Sequence, residues 1–382
     1  MRARRLRLGM IGGGRGAFIG AVHRMAARLD DRYELVAGAL SSDPRRSLDS
    51  GADLLLAPER SYAQIGALLE AEAHRPDGVD VVAIVTPNHL HHSAAKQCLE
   101  AGFHVICDKP LTTTIADAQE LVHIAERTRR VLAVTYNYTG YPMVRHAREM
   151  IANGDLGELR VVQVEYAQDW LTTPVEATGN KQASWRVDPL KSGIAGAIGD
   201  IGTHAFHLAE FMTGTQVKQL AADLSSQVAG RRLDDNGQML LRFSNGARGA
   251  LWASQVAPGN ENNLRIRVYG SKGGLEWSQE APNHLRFTPM GEQPRYIARG
   301  GAGAGTAATL STRLPSGHPE GYIEAFAQIY TDAAELIAAT NENRTPSAGA
   351  LLVPTVTDGL RGVRFIHAAV ESSSRDAAWT AV

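Results

Sequence analysis

A glycine-rich turn near the start of the chain constrains the fold more than any other feature. The apolar residues 6–11 predict a short buried strand, and residues 18–28 predict a helix. Between them, Gly-Gly-Gly-Arg-Gly-Ala at residues 12–17 matches the spacing G-x-G-x-x-A of a strand-to-helix turn. Such a turn presents the N–H groups of a helix N-terminus to a pyrophosphate, so we predict a dinucleotide-binding unit here.

Each position of this turn has an expected role. Gly12 permits the tight turn, Gly14 lets a pyrophosphate approach the backbone, and Ala17 keeps the helix close to the sheet. Arg15 stands in the same turn, and we include it among the predicted cofactor ligands. A glycine-rich turn that binds nothing is the alternative.

The alternation of strands and helices continues through the first third of the chain. Strands are predicted at residues 33–40, 79–85, 104–107 and 131–135, and helices at residues 61–73, 90–101 and 115–127. Buried strands separated by helices indicate a parallel sheet that is covered on both faces. Ligands of such sheets lie beyond the carboxyl ends of the strands.

Polar residues follow these strands at the edge where a nicotinamide ring is expected. Ser41 follows the second strand, at a position where an acidic residue would exclude a 2′-phosphate, and Arg45 is available to bind such a phosphate. The sequence therefore allows either NAD or NADP as the cofactor. The other predicted cofactor ligands follow later strands; they are Thr86, Asn88, His91, Asp108, Lys109 and Asn137.

His89, His91 and His92 raise the alternative of a metal site. No cysteine or histidine pair in the sequence has the spacing of a zinc site, and adjacent histidines point to different sides of a helix. We therefore predict no metal, which also argues against a metal-dependent hydrolase.

Lys109 stands between a predicted strand and Pro110. Proline fixes the local backbone and can adopt the cis form. Two interpretations stay open from the residues alone. Lys109 is either a solvated surface lysine or a cation at the mouth of a site, where its charge would stabilise a developing alkoxide.

The pattern changes after residue 154. Strands are predicted at residues 160–166, 219–226, 236–243, 247–255 and 264–269, and Asn245-Gly246 indicates a hairpin. Consecutive strands without helices indicate an antiparallel sheet and hence an α+β domain. Residues 300–305 predict a loop, and residues 322–340 and 355–372 predict two closing helices.

Length and composition fit a globular protein of two domains. The 382 residues exceed one ordinary hydrophobic core, and 44% of them are apolar. The formal net charge of -1 and the lack of a long apolar stretch predict no nucleic-acid partner and no membrane partner. Cys98 and Cys107 cannot form a disulfide framework, and the first apolar run is too short for a signal peptide, so we expect a cytoplasmic location.

The stretch from Gly199 to His207 has an unusual composition. If it is helical, Asp200, His204 and His207 lie on one face, because residues three and four apart line up on a helix. The residues that follow are mostly apolar, so we expect a buried helix. Either Asp200 is an N-cap and both histidines are satisfied core residues, or this face meets a polar ligand.

Four motifs, taken in their order and spacing, resemble the Gfo/Idh/MocA oxidoreductases, the family of glucose–fructose oxidoreductase and inositol dehydrogenase. They are the turn at residues 12–17, Thr86-Pro87-Asn88-His89, Asp108-Lys109-Pro110 and the residues 199–204. The family usually has Glu where this chain has Asp108. Residues 166–170, 184–186 and 318–322 are further similar to levoglucosan dehydrogenase and related glycoside 3-dehydrogenases.

The resemblance implies an α/β protein with an N-terminal Rossmann domain that binds NAD or NADP. It also implies a C-terminal α+β domain with a large, open, mainly antiparallel sheet, and assembly into a homodimer or homotetramer. We place the domains at residues 1–138 and 139–382. A C-terminal helix of the second domain can still pack back on the first domain.

The resemblance also implies which residues act. The catalytic set is Lys109, Asp200 and His204. Substrate contacts are assigned to these three and to Gln168, Trp185, Arg186, His318 and Tyr322.

Hydride transfer between a nicotinamide and a secondary alcohol is the resulting hypothesis, with a sugar, anhydrosugar, glycoside or inositol as substrate. His204 would act as general base, since an imidazole titrates near about pH 6.5. Lys109 would stabilise the alkoxide, and Asp200 would orient a neighbouring hydroxyl. Two alternatives stay open: an NADPH-dependent reductase of a ketosugar or aldose, and a non-catalytic NAD(P)-binding sensor.

Overall fold

The structure is a computed structural model that describes residues 4–382. It divides into two compact units. The first contains the residues up to Asn137 and Tyr322–Leu360, and the second contains Tyr138–Gly321 and Arg361–Val382. The domain division after residue 138 stays a prediction.

The first unit contains a five-stranded parallel sheet with strand order β2-β1-β3-β4-β5. Its order reverses between β1 and β3, the place where sheets of this kind bind ligands. In chain order its elements are β1 (Leu6–Gly12), α1 (Phe18–Leu29), β2 (Tyr33–Ala39), α2 (Pro44–Asp53), α3 (Ile65–His74), β3 (Val81–Val85), α4 (His91–Glu100), β4 (His104–Cys107), α5 (Ile115–Thr128) and β5 (Leu132–Val134). The predicted alternation and the parallel sheet are confirmed.

The second unit contains a nine-stranded sheet. Its elements and the remaining helices are, in chain order, α6 (Pro142–Ala152), β6 (Leu159–Ala167), α7 (Lys181–Arg186), α8 (Pro189–Ser192), α9 (Thr203–Thr213), β7 (Val217–Ser225), β8 (Asn236–Phe243), β9 (Arg248–Ser254), β10 (Asn263–Gly270), β11 (Gly273–Ser278), β12 (His284–Pro289), β13 (Arg295–Ala298), α10 (Thr306–Ser311), α11 (Tyr322–Asn341), α12 (Val356–Ser374) and β14 (Thr380–Ala381). A π-helical turn, Ile198–Gly202, leads into α9.

The strand order of this second sheet is β13-β12-β11-β10-β6-β9-β8-β7-β14. All its neighbours pair antiparallel except β6 and β9, which pair parallel. The predicted fold class, a parallel α/β domain followed by a mainly antiparallel α+β domain, is therefore confirmed. The predicted hairpin also forms, because Gly246 adopts a φ of +94° between β8 and β9.

Burial explains why the first sheet forms. All five residues of β3 are buried, as expected for a parallel strand that is covered on both faces. One layer of the core joins the sheet to α1 and α11, since Leu8, Met10 and Val81 cluster with Phe326 and other buried side chains of α11. This packing fixes the strands whose carboxyl ends are followed by the predicted cofactor ligands.

Gly20 permits the close approach of α1 to the glycine turn. A Cβ atom at Gly20 would lie 2.3 Å from the carbonyl oxygen and 2.5 Å from the Cα of Gly13. Ala17 stands before the first turn of α1 as its N-cap. The role expected of Ala17 stays a prediction, and Gly20 is a further residue on which the packing of α1 depends.

We expect Gly20→Ala to lower the free energy of unfolding by about 1–3 kcal/mol, because the added methyl group overlaps backbone atoms that cannot move aside. Urea denaturation measures the change. Gly66→Ala is the matched control, since a Cβ there meets nothing within 4 Å. Gly66 lies in α3, where alanine should stabilise by about 0.5–1 kcal/mol. Equal stabilities for Gly20→Ala and the wild-type protein would refute the close contact.

Residues 4–382 contain neither a membrane-spanning helix nor a cluster of metal-binding side chains. None of their helices is long and apolar enough to cross a lipid bilayer. Within the same residues, no group of three or more His, Cys, Asp and Glu side chains is arranged to hold a metal ion.

Candidate functional site

The glycine turn of the first unit is shaped to receive an anion. Gly12 and Gly13 have φ values of +79° and +73°, a region that residues with a side chain rarely adopt. The first turn of α1 contains no acidic residue, and its N-cap Ala17 makes no side-chain hydrogen bond. The positive end of the helix dipole is therefore not neutralised by a side chain of its own first turn, which suits a pyrophosphate.

Gly14 and Arg15 contact the end of β2 and the helix α2. A Cβ at Gly14 would lie 2.6 Å from the carbonyl oxygen of Leu40, so glycine is needed for this packing. The Arg15 side chain donates from Nε and Nη2 to Asp53, at 2.5 and 2.8 Å, and from Nη1 to Asp49 at 3.2 Å. Two carboxylates of α2 thus hold the predicted cofactor ligand Arg15.

Ser41 and Arg45 lie at the start of α2. The Ser41 hydroxyl accepts from the backbone N–H of Asp43 at 3.2 Å, and Asp43 caps the helix by accepting from the N–H of Arg46. Arg45 is exposed in the first turn. This environment is compatible with both NAD and NADP.

Thr86 and Asn137 carry polar atoms that suit a bound carboxamide. Thr86 Oγ1 and Asn137 Nδ2 are buried, and neither has a hydrogen-bond partner within the described part of the chain. Both residues follow strands of the parallel sheet, and a buried polar atom without a partner is costly. A nicotinamide carboxamide has the donor and acceptor groups that would satisfy them.

His91 is buried between two loops. Its ring nitrogens lie 2.9 Å from the carbonyl oxygens of Thr86 and Pro110, so the imidazole joins the loop after β3 to the loop after β4. Burial lowers the pKa of His91 below its usual range. The nearby Asn88 is also buried and begins a 3-10 turn.

Asp108 fixes the end of β4 directly before Lys109. Its Oδ1 accepts from the Thr135 hydroxyl at 2.5 Å and lies 3.3 Å from Nε2 of His23. Burial alone would raise the pKa of Asp108, but the charge and hydrogen bonds of His23 and Thr135 outweigh it and lower the pKa to about 2. Lys109 is half-buried, and its peptide bond to Pro110 is cis.

We expect Asp108→Asn to lower the free energy of unfolding at pH 7 by about 2 kcal/mol. A carboxyl whose pKa is lowered by folding stabilises the protein above its ordinary pKa. That contribution is lost as the pH falls from about 4 to about 2, so the difference from wild type should shrink over this range. Denaturant unfolding at several pH values measures it, with the exposed Glu126→Gln as control. A difference that does not depend on pH would contradict the ionised state of Asp108.

In the second unit, Asp200 lies in the π-helical turn and His204 and His207 lie in α9. The helix is buried, with His204 only 7% and His207 only 6% exposed, which confirms the expected burial. Asp200 lies inside the helical stretch, so its interpretation as an N-cap is wrong. Single π-helical turns of this kind occur frequently at functional sites.

Two donors hold the carboxylate of Asp200. Its Oδ2 accepts from Nε of Arg186 and from Nε2 of Gln255, each at 3.0 Å. The Arg186 guanidinium lies 4.4 Å from the ring centre of Trp185 and 5.9 Å from that of Trp170, which restricts its orientation. Asp200 therefore forms an ion pair whose cation also makes cation–π contacts with two indoles.

The imidazole of His204 packs against Tyr138. The two rings meet edge to face at a centroid distance of 4.9 Å, and the Tyr138 hydroxyl lies 2.5 Å from that of Tyr166. Tyr166 in turn donates to Oδ1 of Asn262 at 2.7 Å. Burial raises the pKa of Tyr138, so this hydroxyl stays protonated at neutral pH.

Gln168 connects the two halves of this arrangement. Its Nε2 donates to Asn262 at 2.7 Å, and its Oε1 accepts from Trp170 at 3.0 Å and from Gln255 at 3.3 Å. A continuous polar network therefore runs from the tyrosine beside His204 to the carboxylate of Asp200. We call it the polar network; its members are Asp200, Arg186, Gln255, Gln168, Asn262, Tyr166 and Tyr138.

Sequence reasoning missed four members of the polar network, namely Tyr138, Tyr166, Asn262 and Gln255. They stand at or next to the ends of elements, since Tyr166 is near the end of β6, Gln255 follows β9 and Asn262 precedes β10. These three strands are neighbours in the sheet. Polar residues at the ends of apolar strands could have indicated candidate site residues. Which of these residues lie close together depends on the strand order, and the sequence does not state that order.

The other predicted substrate contacts lie outside the polar network. His318 is exposed, and its carbonyl oxygen accepts from Nη2 of Arg299. Tyr322 belongs to the first unit, where it begins α11 and its ring lies 5.7 Å from that of Phe326. In the 318–322 motif the buried residue is Glu320, which pairs with Arg299 at 2.8 Å.

Comparison with known proteins identifies both units. Residues 6–136 match the model of an oxidoreductase family with an NAD-binding Rossmann fold, and residues 144–276 match the GFO/IDH/MocA C-terminal domain. Together the two models cover more than half of the chain.

Three similar proteins extend across most of the chain. An oxidoreductase from Sinorhizobium meliloti has a crystal structure that is 52% identical, with a TM-score of 0.90 and 99% of each chain covered. An inositol dehydrogenase homolog from Azotobacter vinelandii, complexed with NAD+, is 39% identical, with a TM-score of 0.95 over 100% of this chain and 98% of that one.

The third is a levoglucosan dehydrogenase from Pseudarthrobacter phenanthrenivorans. It is 29% identical over 75% of this chain and 77% of its own. Because two family models match consecutive parts of the chain and the solved structures align along its whole length, the chain belongs to the Gfo/Idh/MocA oxidoreductase family and begins with an NAD-binding Rossmann domain.

Proposed function

We propose that the protein is an NAD(P)-dependent dehydrogenase that oxidises a secondary alcohol of a sugar or cyclic polyol. The observation that carries the proposal is the buried helix of the second unit. It presents an acid and an imidazole, each surrounded by the hydrogen-bonding side chains of the polar network. A polar network held in a fixed arrangement beside a buried imidazole offers oriented donors and acceptors to a substrate that is rich in hydroxyl groups.

His204 is the proposed general base. An imidazole that removes a hydroxyl proton must be able to accept it near neutral pH and must be held in a fixed orientation. The edge-to-face contact with Tyr138 restricts the ring, and Tyr138 is in turn tied to Tyr166. In the reverse direction, the same imidazole would return the proton to the alcohol oxygen.

Asp200 is proposed to bind a hydroxyl next to the reacting carbon. An ionised carboxylate only accepts hydrogen bonds, so it is suited to a substrate that donates them. Its ion pair with Arg186 balances the charge of this part of the site. We infer that the substrate is an uncharged polyol and not a sugar phosphate or sugar acid, since Asp200 and Arg186 balance each other's charge and Lys109 is assigned to the reacting oxygen.

Lys109 is proposed to stabilise the negative charge that develops on the alcohol oxygen as the proton leaves. A fixed ammonium is effective in this role because it requires no reorganisation during the reaction. Asp108 and His91 hold the loops on either side of it through Thr135 and the carbonyl oxygens of Thr86 and Pro110.

The residues that would hold the cofactor are those of the glycine turn and the strand ends. They are Gly12, Gly14, Arg15, Ala17, Ser41, Arg45, Thr86, Asn88, His91, Asp108, Lys109 and Asn137. When bound, the nicotinamide supplies the hydride chemistry at C4, and the protein supplies orientation and charge.

The names of relatives narrow the class of substrate. The Azotobacter vinelandii homolog has also been crystallised with NADH and myo-inositol, and a levoglucosan dehydrogenase has been crystallised with NADH and levoglucosan. Both compounds are neutral ring polyols, in agreement with the charge balance at Asp200. We therefore propose an inositol, an anhydrosugar or a glycoside as the substrate of this chain.

A panel of neutral ring polyols tests the proposal. The purified protein is incubated with NAD or NADP and with myo-inositol, levoglucosan and methyl glycosides, and formation of reduced nicotinamide is followed by absorbance. We expect turnover with at least one of them. A sugar phosphate and a sugar acid serve as charged controls. Binding of reduced nicotinamide without turnover across the panel would favour the non-catalytic sensor instead.

A further inference from the structure

We propose that Asp234 is a positioning residue that sets the location of Asp200 and His204 by clamping the start of their helix. This inference rests on the function proposed above. It adds a residue that neither touches substrate nor belongs to the polar network. Asp234 lies in the turn directly before β8, far along the chain from the helix it holds.

One residue satisfies three consecutive backbone N–H groups. Oδ1 of Asp234 accepts from the N–H of Gly196 at 2.7 Å, and Oδ2 accepts from the N–H of Ile198 at 2.8 Å. The backbone carbonyl of Asp234 accepts from the N–H of Ala197 between them, also at 2.8 Å. The first N–H groups of a helix have no partner inside the helix, so this contact acts as a cap supplied from another part of the chain.

The clamp is connected directly to Asp200. The N–H of Asp200 donates to the carbonyl oxygen of Gly196 at 2.9 Å, so the backbone that carries this carboxylate is one hydrogen bond away from the clamp. The π-helical turn begins at Ile198, one of the clamped residues. A shift of the clamped segment would therefore move Asp200 against Arg186 and Gln255, and with it the face that carries His204.

The fit at Gly196 shows how tightly the segment is held. A Cβ atom there would lie 2.1 Å from the carbonyl oxygen of Asp234, so no residue with a side chain could occupy this position without displacing the turn. Ile198 is fully buried and its side chain reaches Gly237 in β8. The helix start and β8 are therefore packed in one defined arrangement.

The carboxylate is an unfavourable choice for stability alone. Burial raises the pKa of Asp234 to about 6, with a further contribution from the neighbouring Asp235, although the two backbone N–H groups lower it. An ionised Asp234 therefore costs folding free energy at neutral pH. An amide of the same shape would avoid that cost, whereas only the carboxylate can accept from both outer N–H groups at once.

The neighbouring Asp235 provides a matched control. Its side chain is buried, accepts from two backbone N–H groups, those of Gln227 and Val228, and pairs with Arg231 at 3.2 Å. These side-chain contacts hold the loop before β8 and not the start of the helix of Asp200. Asp235 reaches the polar network through its backbone carbonyl, which accepts from the N–H of Gln255 at 2.8 Å and is retained when the side chain is replaced. Asp234→Asn and Asp235→Asn thus make the same chemical change at adjacent positions. The first affects the start of the helix that carries Asp200, and the second affects the loop before β8.

The test compares Asp234→Asn, Asp234→Ala and Asp235→Asn on a polyol from the panel. We expect Asp234→Ala to lower kcat by about 10²-fold, the scale expected for a misplacement of about 1 Å. Asp234→Asn keeps one acceptor and should lose only about tenfold. The dissociation constant of NADH should not change in either variant. The melting temperature of Asp234→Asn should stay within about 4 °C of wild type, because the buried charge is removed together with one hydrogen bond.

Asp235→Asn should show the opposite pattern, with a lower melting temperature and an unchanged kcat, because it breaks a buried ion pair outside the site. Hydrogen exchange gives a second readout that needs no substrate. Exchange at residues 196–204 should become faster in Asp234→Ala and stay unchanged in Asp235→Asn.

Three results would overturn the inference. They are an unchanged kcat in Asp234→Ala, an equal loss of kcat in the two asparagine variants, and unfolding of both Asp234 variants. If the wild-type protein oxidises no polyol, the proposed function fails by that result alone. In that case unchanged hydrogen exchange at residues 196–204 in Asp234→Ala would refute the clamp, and faster exchange would support it.

Discussion

Lys109→Ala is expected to lower kcat by about 10²–10³-fold, the loss that follows removal of one group that stabilises a developing oxyanion. The ammonium would act on charge that appears only as the reaction proceeds, so its loss should reduce kcat more than it raises KM. Binding of NADH, measured separately by fluorescence titration, should change by no more than a few fold. This separation distinguishes a chemical role from a role in holding the cofactor.

Lys96→Ala is the matched control for that experiment. Lys96 lies on α4 of the same unit and pairs with Glu120 at 2.6 Å, with 36% of its side chain exposed. Loss of such a surface pair costs about 0–1 kcal/mol of stability, and kcat should not change. Near wild-type turnover in Lys109→Ala would remove Lys109 from the proposed role of stabilising the alkoxide.

His204→Asn is expected to lower kcat/KM by about 10²–10⁴-fold, because an amide cannot accept the hydroxyl proton. The pH–rate profile should lose the limb that the imidazole contributes, and the residual activity should rise with hydroxide concentration instead. His284→Asn serves as control, since His284 is an exposed residue of β12 in the same unit. An unchanged pH profile in His204→Asn would remove His204 from the role of base.

The regular elements of both sheets could be predicted from the sequence because burial imposes a visible pattern on them. β4 and β8 have the predicted bounds, and α1 and α11 differ from prediction by a single residue at the end. The strands β11, β12, β13 and β14 and the helices α6, α7, α8 and α10 were not predicted. Most of these segments are short, and β11, β12 and β13 are placed by successive antiparallel pairing outward from β10, which is not a local property of their sequence.

The site residues also divide into those that the sequence could predict and those that it could not. Lys109, Asp200 and His204 could be proposed because they stand in motifs whose residues are close in sequence. Gln255 and Asn262 could not, since their contacts with Asp200 and Gln168 arise only when β10, β6 and β9 become neighbours. Gly20 was overlooked for a related reason, because the atoms it approaches belong to a turn seven residues earlier whose path is not a local property.

Transfer of deuterium tests the central claim most directly. A polyol that the protein turns over is labelled with deuterium at its carbinol carbons and incubated with the protein and the oxidised cofactor, and the reduced nicotinamide is analysed by mass spectrometry. The account predicts one deuterium at C4 of the nicotinamide for each polyol oxidised. Reduced nicotinamide without deuterium, or oxidation of the polyol without reduced nicotinamide, would contradict it.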